Sequence, residues 1–288
     1  MRIRTAPDVT LAADSYGSID DPPVVLLHGG GQTRHAWGNT ARELGDAGWY
    51  ALTVDLRGHG DSDWSPDGEY QLERFAADVR AVADSLPSRP ALVGASLGGL
   101  SSLLAIGESD EPIATALVLV DVAPRIEPEG SGKIRDFMRS GMDGFPDLEA
   151  AADAIAAYTP NRPRPKDLSG LHKNLRQHDD GRWYWHWDSR ILDLNRDDAA
   201  ESGIDGVPAR RLVPTERLEA AARNITVPTL LVRGGASDVL SEQGAKELLA
   251  LIPQAQLVDV AGAGHMVAGD RNDRFNAAVT EFLTSALT

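Results

Sequence analysis

Several features are absent from this chain, and each absence excludes a class of function. The 288 residues include no cysteine, so disulfide bonds and thiol chemistry are excluded. No apolar run approaches the roughly 18 residues of a membrane-spanning helix, and the opening MRIRTAPD lacks the apolar stretch of a secretory signal. Positive charge is scarce, since 28 Lys and Arg face 43 Asp and Glu, and the net charge of -15 disfavours nucleic acid and anionic membranes as partners. We therefore expect a soluble, cytoplasmic protein that acts on small molecules.

Metal-binding and phosphate-binding patterns are missing as well. The seven histidines form neither an H-E-x-x-H nor a His-x-x-x-His pattern, the spacings that place two metal ligands on one face of a helix. The glycine-rich segment 28–32, HGGGQ, does not continue into the Gly-Lys-Ser or Gly-Lys-Thr of a phosphate-binding loop. The sequence therefore predicts chemistry that needs neither a metal nor a cofactor.

Short apolar segments alternate with helical patterns along most of the chain. This alternation predicts an α/β fold with a doubly wound, mostly parallel sheet, whose ligands bind beyond the carboxyl ends of the strands. It stops between about residues 124 and 214, so we expect a core formed by 1–123 and 215–288 and a cap formed by 124–214. The predicted strands lie at 9–12, 24–27, 50–54, 91–93, 116–120, 229–232 and 256–260.

Ser96 is the strongest nucleophile candidate. It lies in GASLG, residues 94–98, between an apolar strand pattern and a helix-compatible segment. In such a strand-to-helix turn the serine takes a strained backbone conformation, and the flanking glycines remove side chains that would collide. Serine is a weak nucleophile at neutral pH, so it needs a base and a third group that orients the base.

Polar residues after later strands supply the base and the orienting acid. His265 ends the segment AGAGH, directly after the last apolar strand pattern. Asp238 ends GGASD, directly after the preceding one. We predict that His265 is the base and Asp238 the acid, while Asp121, which directly follows the strand pattern 116–120, is the rival acid.

A glycine-rich segment near the amino terminus completes the predicted machinery. HGGG, residues 28–31, follows the buried strand pattern 24–27. Acyl transfer passes through a tetrahedral oxyanion, which backbone N–H groups from such a loop and from the residue after the nucleophile stabilise. Gly30 and Leu97 are the predicted donors.

These motifs and their order resemble those of the α/β-hydrolase superfamily, in its branch of serine esterases, haloperoxidase-like enzymes and ring-cleavage hydrolases. The resemblance implies the α/β-hydrolase fold with a helical cap inserted after the sixth strand, a Ser96, Asp238 and His265 triad, and hydrolytic chemistry. Epoxide hydrolases and haloalkane dehalogenases of this fold use an aspartate at the nucleophile position, so Ser96 argues against both. The motifs that carry the resemblance span nearly the whole chain: HGGG at 28–31, DLRGHGDS at 55–62, GASLGG at 94–99, GGASD at 234–238 and GH at 264–265.

The expected reaction is hydrolysis of a carboxylic ester, or a lactone, of a small apolar substrate through an acyl-enzyme intermediate. Thioesters, amides and vinylogous carbon–carbon bonds stay open, because the fold alone does not rank them. Peroxide or a second alcohol in place of water would make the protein a perhydrolase, a haloperoxidase-like enzyme or an acyltransferase. A pocket without turnover would make it a small-ligand receptor.

The segment WYWHW, residues 183–187, is the most aromatic part of a chain with only 6% aromatic residues. If it is extended, Trp183, Trp185 and Trp187 lie on one side of the chain. We predict that these tryptophans line the substrate pocket together with Trp37 and Asp121. The alternative is that they only pack the cap against the core.

Overall fold

An eight-stranded sheet forms the centre of the fold. The structure is a computed structural model that describes residues 1–159, 162, 164, 166–192, 214–270 and 272–286. Its strands, with those of a separate hairpin, are Arg2–Ala6 (β1), Val9–Tyr16 (β2), Pro23–Leu27 (β3), Tyr50–Val54 (β4), Ala91–Ala95 (β5), Ala116–Val120 (β6), Leu175–Gln177 (β7), Trp183–Trp185 (β8), Thr229–Gly234 (β9) and Gln256–Val260 (β10). The sheet order is β1-β2-β4-β3-β5-β6-β9-β10, and β7 pairs with β8. The β1–β2 and β2–β4 pairs are antiparallel and the other sheet pairs are parallel.

All seven predicted strands lie within observed strands of this sheet, so the predicted fold class is confirmed. β3, β4 and β6 consist entirely of buried residues, as expected of parallel strands that are covered on both faces. The sequence analysis does not predict β1, because RIRTA is a short, half-exposed edge strand without the apolar run that marks the buried strands.

Helices cover both faces of the sheet. One apolar cluster joins a face of the sheet to the helices that begin at residues 72, 97, 215 and 242, and a second joins the opposite face to the helices that begin at residues 38 and 272. This two-sided burial explains why the central strands read as continuous apolar runs. No helix within the described ranges is long and apolar enough to cross a bilayer. The helices are Gly38–Asp46 (α1), Leu72–Asp84 (α2), Leu97–Gly107 (α3), Pro128–Arg139 (α4), Leu148–Tyr158 (α5), Thr215–Arg223 (α6), Glu242–Leu251 (α7), Val267–Asp270 (α8) and Asn272–Ala286 (α9).

Between β6 and α6 the chain departs from the alternation of strands and helices. It forms α4, α5 and the β7–β8 hairpin. The hairpin and α5 share a small apolar cluster that includes Phe145, Leu175 and Trp185, and Phe137 of α4 meets the Trp185 ring edge-on. The predicted insertion is therefore not purely helical. Residues 160, 161, 163, 165 and 193–213 of this insertion, and with them most of the proline-rich stretch 160–165, lie outside the described residues.

Candidate active site

Ser96 occupies a sharp turn between β5 and α3. Its backbone has φ 46° and ψ -113°, a conformation that residues with a Cβ rarely adopt. A Cβ at Gly94 would lie 2.5 Å from backbone atoms of Gly98, and a Cβ at Gly98 would overlap the carbonyl of Leu27. Both glycines are therefore required by space, and the predicted nucleophile turn is confirmed as a structural feature.

Asp121 lies at the carboxyl end of β6, the strand next to β5. It is the other non-glycine residue among those described with a positive φ, at 51°, and its side chain is completely buried. Three donors converge on its carboxylate: the Gly234 N–H at 2.8 Å, the Ser237 hydroxyl at 2.5 Å and His265 Nδ1 at 2.7 Å. A buried carboxylate with this set of donors fixes the orientation of the imidazole.

Asp238 does not reach His265, so the prediction that it is the acid is wrong. Its side chain is 47% exposed and pairs with Lys133 Nζ at 2.9 Å. The loop after β9 does approach the candidate site, but it does so through Ser237, which donates its hydroxyl to Asp121. The carboxylate that contacts His265 is therefore that of Asp121, the rival candidate, while Asp238 forms a surface contact with α4.

The glycine-rich loop after β3 lies beside Ser96. A Cβ at Gly29 would lie 3.3 Å from the Ser96 Cβ, and the Gly98 N–H donates to the carbonyl of His28 at 3.2 Å. On either side of Gly30 the backbone donors are occupied, since the Gly29 N–H donates to the Gln32 side chain at 3.0 Å and the Gly31 N–H donates to His59.

The two predicted oxyanion donors are placed differently from these neighbours. Across the described part of the chain, no acceptor pairs with the Gly30 N–H, and no atom lies within 4 Å of the position that a Gly30 Cβ would take. Leu97 is the first residue of α3, so its N–H has no acceptor within the helix. The positive end of the α3 dipole lies at the same place.

An apolar surface from the insertion lies over this loop. The side chain of Met138 on α4 contacts Gly31: its Cε atom lies 3.3 Å from the position that a Cβ at Gly31 would take. The ring of Phe137 stacks on Tyr158 at 4.2 Å and meets Trp185 edge-on at 5.4 Å. Burial, with a smaller contribution from the Asp238 carboxylate, raises the pKa of the Tyr158 phenol to about 12, so this hydroxyl stays protonated at neutral pH.

The predicted pocket residues divide into two groups. Trp37 is only 2% exposed and packs against Phe275 of α9, on the face of the sheet that α1 and α9 cover, so its prediction as a pocket residue is wrong. Trp187 is 5% exposed and Asp121 fully buried, so neither offers surface to a substrate. Trp183 and Trp185 are half-buried and both pack against the small cluster around Phe145. The period-two pattern predicts this, because residues two apart in a strand lie on the same side.

Several residues of the site carry no sequence signal strong enough to find them. In the sequence, Ser237 is only the residue before Asp238, which occupies the position predicted for the acid. Met138 and Tyr158 lie on helices whose docking depends on tertiary contacts, which periodicity does not report. Over the described ranges, no group of three or more His, Asp and Glu side chains is arranged to hold a metal ion.

Comparison with known proteins agrees with this architecture. A family model described as the alpha/beta hydrolase fold matches residues 22–271. The esterase Rv0045c of Mycobacterium tuberculosis is 31% identical over 259 residues, which cover 87% of this chain and 78% of that protein. The sn-1-specific diacylglycerol lipase ABHD11 of Mus musculus is 31% identical over 285 residues, which cover 93% of this chain and 84% of the lipase.

A solved structure provides an independent comparison of the fold. The crystal structure of an E-2-(acetamidomethylene)succinate hydrolase matches with a TM-score of 0.82 over 99% of this chain and 98% of that one. Its sequence identity of 24% limits this likeness to the fold. Because the family model spans most of the chain and two relatives exceed 30% identity, the chain belongs to the α/β-hydrolase family and is an esterase-like hydrolytic enzyme.

Proposed function

We propose that this protein is a serine hydrolase that cleaves carboxylic esters or lactones of small apolar substrates through an acyl-enzyme intermediate. The observation that carries the proposal is the 2.7 Å contact between Asp121 and His265, in a sheet whose neighbouring strand presents Ser96 on a strained turn. A buried carboxylate, an imidazole and a half-buried serine hydroxyl are the parts from which nucleophilic catalysis is built.

In the proposed mechanism His265 removes the proton of Ser96 as the hydroxyl attacks the ester carbonyl. Asp121 keeps the proton of the imidazole on Nδ1, which leaves Nε2 free to act as the base. The N–H groups of Gly30 and Leu97 stabilise the oxyanion. His265 then protonates the leaving alcohol, and a water molecule, activated by the same imidazole, releases the acyl group.

The Ser96 hydroxyl pairs with no acceptor among the described residues, and in enzymes without substrate this catalytic hydrogen bond is often long.

The substrate class is supported by the apolar side chains over the site. Met138, Phe137 and Trp185 offer carbon and ring surfaces. The ammonium group of Lys133 on the same helix as Met138 is held by the side chains of Glu129 and Asp238, at 3.0 and 2.9 Å. We propose that residues 124–214 form the cap that selects the substrate. Two relatives named an esterase and a diacylglycerol lipase agree with an ester bond as the target.

Replacement of Ser96 tests the proposal directly. Ser96→Ala is expected to abolish hydrolysis of p-nitrophenyl esters and labelling by a fluorophosphonate, while the melting temperature stays near that of the wild type. Ser101→Ala is the matched control, because Ser101 lies one helical turn further along α3 and its hydroxyl donates only to the Leu97 carbonyl. Hydrolysis at the wild-type rate by the Ser96 variant would refute the nucleophile assignment.

The acceptor of the acyl group is measured in the same experiment. The rate at which the acyl-enzyme formed from the p-nitrophenyl ester breaks down is compared in water, in hydrogen peroxide and in a short alcohol. Preferential transfer to peroxide would make the protein a perhydrolase or haloperoxidase-like enzyme, and preferential transfer to the alcohol an acyltransferase. Binding of esters without any acyl-enzyme would make it a receptor.

A further inference from the structure

His59 lies in the loop after β4 and is completely buried. Its Nε2 atom accepts the Gly31 N–H at 3.1 Å, and its Nδ1 atom lies 2.9 Å from the carbonyl oxygen of Arg57. A backbone N–H only donates and a carbonyl only accepts, so these two contacts define one tautomer. Nδ1 carries the proton, Nε2 presents a lone pair, and the ring is neutral.

A second buried imidazole supports the neutral state. The ring of His28 meets His59 edge-on at 5.0 Å, and its Nε2 atom accepts the Leu56 N–H at 3.0 Å. Burial lowers the pKa of both histidines, and burial together with the neighbouring His28 imidazole lowers that of His59 to about 3. Protonation of either ring would place an N–H against a backbone N–H.

The backbone around His59 is held from the other side by the segment that follows β8. The Gly60 N–H donates to the His186 carbonyl at 2.7 Å, and the Asp188 N–H donates to the Gly58 carbonyl at 2.7 Å. Residues 59 and 187 thus form an isolated antiparallel bridge. Asp188 is itself buried and accepts the Tyr70 hydroxyl at 2.5 Å.

This arrangement links the β7–β8 hairpin to the loop beside Ser96. Gly31 has φ 76°, so its peptide needs an external contact to keep one orientation. His59 supplies that contact to the peptide N–H of Gly31, directly next to Gly30 in the chain. A shift of the Gly31 peptide would turn the Gly30 backbone with it, because consecutive peptide planes share a Cα atom.

We infer that His59 is a positioning residue for the oxyanion hole: its neutral ring holds the Gly31 N–H, and through it the loop of residues 28–31 is fixed to the hairpin segment 186–188. The inference rests on the proposed function, in which Gly30 donates to the oxyanion. The imidazole of His59 hydrogen-bonds the backbone of Gly31 and Arg57 and makes no hydrogen bond to Ser96. Within the motif DLRGHGDS, His59 therefore connects the loop of residues 28–31 to the hairpin segment 186–188.

Two substitutions separate positioning from packing. His59→Phe keeps a flat ring of similar volume but has no lone pair for Gly31. His59→Gln offers an amide oxygen near the Nε2 position and is expected to restore the contact. Loss of one oxyanion donor outright costs about 10²–10³ in kcat, so we expect the Phe variant to lose roughly 10-fold or more in kcat with KM changed less than about threefold.

The control is His178→Phe, since His178 lies on the hairpin and stacks on Tyr184 without contact to residues 28–31. Each variant is assayed for kcat, KM, melting temperature and the rate of fluorophosphonate labelling at Ser96. Recovery of kcat in His59→Gln, with the Phe variant folded, supports positioning. Equal kcat in the wild type and His59→Phe, or equal losses in both His59 variants that follow the melting temperature, would overturn it. Absence of labelling and turnover in the wild type would instead refute the proposed function.

Discussion

Replacement of Asp121 by Asn is the sharpest test of the reassigned acid. The carboxylate accepts three hydrogen bonds, and Asn supplies only one accepting atom. If the amide nitrogen faces His265, the imidazole must accept at Nδ1 and carry its proton on Nε2, where it no longer acts as a base. If it faces the Gly234 N–H instead, a buried donor is left unpaired at a cost of about 1–3 kcal/mol.

The first arrangement is therefore favoured, and Asp121→Asn is expected to lower kcat on the order of 10⁴-fold, the loss that the same substitution causes in a serine protease triad. This corresponds to about 5 kcal/mol of transition-state stabilisation. Steady-state assays with a p-nitrophenyl ester measure the effect, and the melting temperature shows whether the variant is folded.

Asp238→Asn is the matched control for this substitution. It removes one exposed ion pair with Lys133, which is worth about 0–1 kcal/mol, so kcat should stay within about threefold of the wild type. A large loss in Asp238→Asn with nearly normal turnover in Asp121→Asn would return the acid to Asp238 and refute the reasoning.

Two further predictions concern stability and specificity. Burial lowers the pKa of both His28 and His59 in the folded protein, so the unfolded chain binds more protons and the free energy of unfolding should fall as the pH is lowered below 6.5. For His59, whose pKa is about 3, the slope approaches about 1.4 kcal/mol per pH unit. Urea titrations between pH 6.5 and 5 measure this slope. In His59→Gln the slope should be smaller, because the difference in bound protons between the unfolded and folded states falls by about one. Trp185→Ala should reduce kcat/KM for large apolar esters by a factor that corresponds to about 1–3 kcal/mol of lost transition-state stabilisation, and should leave kcat/KM for acetate esters nearly unchanged. Equal losses on both kinds of ester, with a lower melting temperature, would show that Trp185 only packs the insertion.

The core of the fold can be read from the sequence because its signals are local. Buried parallel strands are continuous apolar runs, and the strained turn at Ser96 requires glycine at two fixed positions. Edge strand β1 and the short strands β7 and β8 lack such signals, because a half-exposed pair owes its stability to neighbours that are distant in sequence.

The acid could not be read from the sequence for a related reason. Asp121 and Asp238 both follow strands whose carboxyl ends lie near His265, and position along the chain favours Asp238. The choice is made by geometry: the positive φ of Asp121 turns its side chain toward His265, while Asp238 turns toward Lys133. Trp37 was misplaced in a similar way, because its sequence position gives no indication of the face of the sheet on which it packs.

The location of Asp121 has a consequence for how this enzyme can change. The proposed nucleophile and the proposed acid both lie within residues 91–121, one contiguous β-α-β unit, so β9 and the loop after it supply only a backbone N–H and the Ser237 hydroxyl. Asp238 and its neighbours are then open to variation without loss of the acid. Since Asp238 contacts α4 through Lys133, substitutions there can alter how the insertion sits over the site and leave the chemistry intact. Libraries that seek new substrates should begin at this pair, because the two side chains hydrogen-bond each other and not Asp121 or His265.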